Sequence, residues 1–335
     1  MKALVYTAPG TMTYREEPDP IAQPGEVVID VEAVGICGSD MHAYHGHDPR
    51  RVPPLILGHE LAGTILGGGA AGRRVTVNPL ITCGHCEYCS TGRDNLCAHR
   101  TMIGMTRAGG FAQRLAIPEA SVIEIPPAMD ARAAALTEPA ATGLHALRLA
   151  MHALARPLPE LRALVLGAGA VGLLAALLIR AYGCRDVAVG EVNALRRASA
   201  ARAGAADLRV FDPAAEQSMP GQVDLVIDAV GSKATRSASL SAVKPGGVVV
   251  HIGLAEWSSE IDMRKLTLAE VTLIGTYTYT MADLRATVRA LQAGIYGTLD
   301  WVEERPLSEG AAAFADLHAG RSGAAKIVLR PAWAA

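Results

Sequence analysis

The hydrophobic rhythm of the chain changes near residue 130. Before that point apolar and polar positions alternate over short runs. Val27-Val28-Ile29-Asp30-Val31-Glu32-Ala33-Val34, set between Pro24-Gly25 and Gly35, predicts a strand, as do Val75-Thr76-Val77 and Phe111-Ala112-Gln113-Arg114-Leu115-Ala116-Ile117. From Asp130 alanine and leucine recur at helical spacing, and Ala131 to Leu149 predicts a helix interrupted near Glu138-Pro139. A β-α-β alternation follows: a strand Ala163–Leu166, a helix Val171–Tyr182, a strand Val187–Val189 and a helix Ala194–Ala203. Further strands are expected at Val223–Asp228 and Gly247–Ile252, a helix at Asp283–Ala293 and a last strand at Lys326–Leu329. Continuous apolar strands separated by helices predict a parallel sheet covered on both faces. The fold class is therefore α/β, with a β-rich first part and a doubly wound second part.

Composition narrows the function classes. The chain has 335 residues, enough for two domains. Its net charge is −2 and its arginines are scattered, so no broad basic field exists for a nucleic-acid backbone. The longest apolar run, Ala163 to Ile179, contains Gly167, Gly169 and Gly172 and divides into strand, turn and helix, which argues against a membrane span. Met1-Lys2-Ala3-Leu4-Val5 opens on a strand pattern rather than on a charged segment followed by an apolar one. No export signal is expected, and the expected location is the cytoplasm.

Four cysteines lie within fifteen residues: Cys83, Cys86 and Cys89 at two-residue spacings, then Cys97. That spacing suits one tetrahedral zinc whose four sulfurs leave no open position, which makes the site structural. Two disulfides are the weaker alternative, because the chain has only six cysteines in all. Leu166-Gly167-Ala168-Gly169-Ala170-Val171-Gly172 matches G-x-G-x-x-G between a strand and a helix. Gly167 permits the turn, Gly169 lets a pyrophosphate approach the backbone, and Gly172 lets the helix pack on the sheet. Glu191 stands at the end of the next strand, where a carboxylate accepts ribose hydroxyls and repels a 2′-phosphate; this favours NAD over NADP. Arg196, five residues on, is placed to cover the adenine or to meet such a phosphate.

Cys37, in Gly35-Ile36-Cys37-Gly38-Ser39-Asp40-Met41-His42, and His59, in Gly58-His59-Glu60, are good zinc ligands. Taken singly, Cys37 reads equally as a core thiol, His59 as a turn histidine and Glu138 as a helix-cap carboxylate. His45 and His47 form a short His-x-His that suits either a metal or a loop over the cleft, and the loop is preferred. Cys184 reads as a small buried hydrophobe. Tyr277, Tyr279 and Trp257 suit either contact with cofactor or substrate or packing near strand ends, and packing is preferred.

Together these motifs, with Gly109-Gly110-Phe111-Ala112 and the Lys326-Ile327-Val328-Leu329 end, resemble in order and over essentially the whole chain the zinc-dependent medium-chain dehydrogenases of the alcohol dehydrogenase superfamily. Thr137-Glu138-Pro139 resembles the polyol and threonine dehydrogenase branch. The resemblance implies a GroES-like catalytic domain over residues 1–143 and 287–335 and a Rossmann coenzyme domain over 144–286. It implies two zinc ions per chain, NAD, a small secondary alcohol as substrate, and a homo-oligomer, dimer or tetramer. It implies that Cys37 and His59 bind catalytic zinc, that Glu60 and Glu138 share the remaining positions, that Asp40 orients His59, and that Ser39 and His42 relay the proton. Two departures stand out. Gly72-Arg73-Arg74-Val75 replaces the family's Gly-Asp-Arg-Val. Thr278 stands where sorbitol dehydrogenases carry arginine, which weakens sorbitol itself as the substrate.

Overall fold

A computed structural model describes residues 1–203, 207–215 and 220–331. Six parallel strands form one sheet, in the spatial order Arg209–Phe211, Asp186–Gly190, Arg162–Leu166, Val223–Asp228, Val243–His251, Thr272–Gly275. The chain order therefore reverses between Arg162–Leu166 and Val223–Asp228. In a doubly wound sheet that crevice, at the carboxyl ends of the strands, is where ligands bind. Both faces are covered. Ala163 and Val165 enter a core with Leu144, Leu173, Leu174 and Leu178, while Leu164 and Leu166 enter another with Phe211, Val226 and Leu240. Alternate residues of one strand thus serve two cores, which explains the unbroken apolar run.

A second, mainly antiparallel sheet has seven strands. Glu26–Gly35 lies at its centre, pairing with Glu60–Leu66, with Arg114–Pro118 and with Lys326–Arg330. The last of these comes from the far end of the chain, and Val302–Pro306 lies beyond it. Its core holds Leu4, Ile29, Val34, Leu61, Phe111, Phe314, Ile327 and Leu329.

Three expectations shift. The predicted helix from Ala131 breaks at Leu136, giving Ala131–Ala135 and Thr137–Ala153, so Glu138 and Pro139 sit in the first turn of the second helix. Proline is tolerated there because a first-turn N–H has no helical partner. The strand expected from Phe111 begins at Arg114, since Phe111 N–H already bonds Leu57 C=O in a neighbouring loop. The strand expected from Gly247 begins at Val243 and ends at His251.

Candidate active site and metal centres

The glycine loop lies between the strand Arg162–Leu166 and the helix Ala170–Ala181. A Cβ on Gly172 would stand 1.9 Å from the carbonyl oxygen of Gly167, so the helix cannot approach the turn with any larger residue. A Cβ on Gly169 would meet nothing within 4 Å; the space above it is open, as a pyrophosphate requires. Glu191 follows the next strand and is buried. Its Oε2 accepts from Ala168 N–H at 2.9 Å and its Oε1 from Asn193 N–H at 2.8 Å, with Arg196 Nη2 at 3.3 Å. The carboxylate is thus pinned against the loop itself, and Arg196 lies on it. Val171 follows in the first turn of the helix.

The four cysteines converge. Cys86 and Cys89 sulfurs lie 3.5 Å apart, Cys83 and Cys97 3.6 Å, Cys83 and Cys89 3.9 Å. Sulfurs around one zinc at about 2.3 Å stand about 3.8 Å apart, so the donor set fits that ion, and no pair is close enough to be a disulfide. His85 turns its Nδ1 to the Cys83 carbonyl at 2.7 Å.

The other centre is assembled from distant segments. Cys37 precedes the helix Gly38–Tyr44, and Glu60 opens the strand Glu60–Leu66 directly after His59. One donor atom from each of Cys37, His59 and Glu60 lies within 4.8 Å of the others. Asp40, wholly buried, divides its carboxylate: Oδ2 accepts from Cys37 N–H at 3.0 Å, and Oδ1 stands 3.5 Å from His59 Nδ1. That leaves His59 Nε2 facing the centre, with Ser39 Oγ 3.4 Å away. A thiol, an imidazole nitrogen and carboxylates are the donors zinc takes, and the set fits it.

Each carboxylate already has a partner. Lys326 Nζ reaches both oxygens of Glu60 at 2.6 Å and the Ile36 carbonyl at 2.8 Å, all buried. Gly35 makes the room: a Cβ there would stand 2.2 Å from Glu60 Oε2. Glu138 lies outside the three-donor group and accepts from Tyr279 Oη at 2.7 Å. Burial, with the Glu60 charge, raises Glu138 to about 7. Burial and Glu138 raise Tyr279 well above the ordinary phenol value, so it stays a donor. Burial pulls His59 down, but Asp40 and Cys37 outweigh it and hold it well above ordinary imidazole. For Lys326, Glu60 and Cys37 likewise outweigh burial and raise it.

Beside this centre Arg51 is buried. Its Nη2 donates to Ser39 Oγ at 3.2 Å, its Nη1 to Ser39 C=O at 3.0 Å and to Asp48 Oδ2 at 2.8 Å, and its Nε to Gly104 C=O at 3.0 Å. His42, on the same short helix as Ser39, is half-buried; burial, then His47 and Arg51, lower it. Sequence reasoning missed Lys326 and Arg51, and it placed Tyr279 with the packing residues although its hydroxyl touches Glu138. The one legible signal was Lys326 itself, one of five lysines, at the head of an apolar strand.

Known proteins match most of the chain. Residues 23–127 match the family model of the alcohol dehydrogenase GroES-like domain and residues 170–293 that of the zinc-binding dehydrogenase. L-galactonate-5-dehydrogenase of Escherichia coli K12 is 32% identical over 308 residues, 88% of each chain. L-threonine 3-dehydrogenase of Mesorhizobium japonicum is 31% identical over 293 residues, 83% of each. A zinc-binding dehydrogenase of Sinorhizobium meliloti 1021, solved with NADP, superposes with a TM-score of 0.87 at 30% identity, covering 98% of this chain and 99% of that one.

Proposed function

This chain belongs to the zinc-type alcohol dehydrogenase family of medium-chain dehydrogenases, and we propose that within it the protein oxidises a secondary alcohol of polyol or sugar-acid type to the ketone, with NAD as acceptor. The observation that carries the reading is the convergence of Cys37, His59 and Glu60, with Ser39 Oγ 3.4 Å from His59 Nε2. Zinc held by Cys37, His59 and one of Glu60 and Glu138 would polarise the alcohol, and NAD would take the hydride.

The chain's own residues do the rest. Asp40 fixes the tautomer and direction of His59. Arg51 donates to Ser39 Oγ and fixes the serine beside His59 Nε2. Ser39 would take the alcohol proton and His42, half-buried on the same helix, would release it to solvent, with the coenzyme's nicotinamide ribose hydroxyl bridging the two. Tyr279 holds Glu138 in place. Glu191 accepts the adenosine ribose hydroxyls and disfavours a 2′-phosphate, and Arg196 neutralises part of that charge. Cys83, Cys86, Cys89 and Cys97 hold a second, structural zinc.

The proposed division is a catalytic domain of residues 1–143 and 287–335 and a coenzyme domain of 144–286. The strand Thr272–Gly275 ends the parallel sheet, and on or near it Leu273, Leu268 and Met263 are exposed. An apolar free edge of this kind supports a homo-oligomer, dimer or tetramer. Among the described residues no helix is long and apolar enough to cross a membrane, and we place the enzyme in the cytoplasm. A second reading, a 3-hydroxy amino acid such as threonine, is favoured by the threonine dehydrogenase relative.

The test is a panel of polyols, sugar acids and 3-hydroxy amino acids assayed with NAD and NADP, with zinc counted on the same protein. Two zinc ions per chain and NAD-linked oxidation of a polyhydroxy compound are expected; turnover of threonine alone selects the second reading. With the active alcohol, Glu191→Ala should narrow or reverse the preference for NAD, mainly through KM for the coenzyme, because the contact is remote from the reacting carbon. A wild type that already prefers NADP would sink the role given to Glu191.

A further inference from the structure

The loop after the helix Gly38–Tyr44 meets the end of the helix Gly310–His318 at a pair of histidines that the proposed chemistry does not use. His45 Nε2 and His318 Nδ1 stand 2.9 Å apart although 273 residues separate them. Their ring centroids are 5.0 Å apart with the planes inclined by 60°. Tyr44 packs against both rings, at 5.7 Å from His45 and 6.1 Å from His318, and is itself seated on Phe314 at 5.5 Å. The ring of His47 lies 5.6 Å from that of His45. His45, His47 and His318 are all exposed.

As a hydrogen bond between two solvated rings, this contact contributes only about 0.5–1.5 kcal/mol. The geometry also suits a metal. Two imidazole nitrogens bound at about 2.1 Å to one ion and at right angles to each other stand about 3 Å apart. We propose that His45 Nε2 and His318 Nδ1 form a surface site for a divalent transition ion, separate from the two centres described above, with His47 as the adjoining imidazole and water in the remaining positions. Imidazole ligands select nickel, copper or zinc, whereas magnesium and calcium take oxygen. Burial and the neighbouring histidines hold His45 below the ordinary imidazole value, which keeps its ring neutral and its lone pair available near pH 7. The Tyr44 and Phe314 rings fix the approach of the two segments, so little freedom is lost on binding. An ion here would clamp the helix that carries Ser39, Asp40 and His42 to the C-terminal helix.

The probe is nickel alone. Untagged protein, its zinc content measured beforehand, is titrated with nickel chloride by calorimetry, and both metals are counted after gel filtration. The expected result is one saturable nickel per chain with zinc retained, and a melting temperature that rises with nickel. His45→Ala and His318→Ala should each weaken nickel binding by at least the roughly 10–100-fold that loss of even an outer-sphere partner causes elsewhere, and His47→Ala by less. Magnesium should not bind. The absence of saturable nickel below millimolar concentration would overturn the proposal. So would equal affinity in His318→Ala, or nickel taken up only in exchange for zinc. The readout does not involve turnover, so it stands or falls apart from the assigned reaction.

Discussion

The two candidate metal centres of this protein are built on opposite plans. The cysteine lobe comes from one loop of fifteen residues whose helical turns are only Glu87–Ser90 and Asp94–Leu96, and three of its four sulfurs belong to partly exposed residues. It has almost no core, and the ion must supply most of its order. The Cys37–His59–Glu60 centre is gathered from separate segments; its histidine and carboxylate are buried and its cysteine is partly exposed. There the protein sets its own groups against one another: Asp40 Oδ1 stands 3.5 Å from His59 Nδ1, Lys326 pairs with Glu60, and Tyr279 donates to Glu138. On the proposed reading a metal would shape the first site, whereas the protein shapes the second. Buried charges are tolerated there only as a set.

That contrast can be broken experimentally. The largest effect should come from Cys37→Ser or His59→Ala. Loss of several kcal/mol of charge stabilisation lowers turnover by about 10³-fold or more. NADH binding, followed by fluorescence, should persist because the glycine loop is elsewhere. A folded variant that fails to bind NADH would contradict the two-site layout.

Next comes Lys326→Met, which strands the Glu60 carboxylate in the interior. Chemical denaturation should show a loss of about 3–5 kcal/mol, and adding Glu60→Gln to the same chain should recover part of it. If the double variant is no better than the single, the lysine is not the counter-ion the geometry implies.

A somewhat smaller effect is expected at Asp283, whose wholly buried carboxylate accepts from Thr280 N–H at 3.0 Å, Thr280 Oγ1 at 2.8 Å and His145 Nδ1 at 2.8 Å, and from Arg148. These contacts start the helix Met281–Gln292 just after Tyr279. Burial pushes this carboxyl up, but the hydrogen bonds from His145, Thr280 and Arg148 outweigh it and hold its pKa far below the ordinary value. The stabilisation is therefore complete above the unfolded pKa of about 3.9 and is lost as pH falls below that toward the folded value. Asp283→Asn should be less stable than wild type by about 2–3 kcal/mol at pH 7. The gap between the two should close on acidification below about pH 4; a constant gap down to pH 3 would refute the assignment.

The smallest effect should follow Cys89→Ser. One zinc should be lost and stability reduced by about 1–3 kcal/mol, while the other zinc stays. Full thermal stability and unchanged assembly in that variant would show that the lobe is not a staple, and the contrast between the two centres would fail.

Much of the fold was legible because its signals are local. The parallel sheet announced itself through the apolar runs Ala163–Leu166 and Val223–Asp228, and the glycine turn through steric need at Gly167 and Gly172. The break in the helix after Ala131 was visible as a disturbance near Pro139, yet it falls at Leu136, since proline fits the first turn of a helix better than its end. Arg51 and Tyr279 were illegible as site residues. A buried arginine and a packing arginine, or a tyrosine that stacks and one that donates to a carboxylate, look alike until their neighbours are known.

By itself the sequence determined the cysteine lobe, the dinucleotide turn and Glu191 at the end of the following strand. Each depends on spacing within a loop, a turn or one strand–helix unit, where chain geometry leaves few arrangements. Only the tertiary structure decided which charges face one another. Lys326 meets Glu60 across 266 residues, Tyr279 meets Glu138 across 141, and Gly35 is small because that ion pair fills the space where its side chain would be. Such contacts are set by the pairing of strands and the closure of the core, and no periodicity along the chain encodes them.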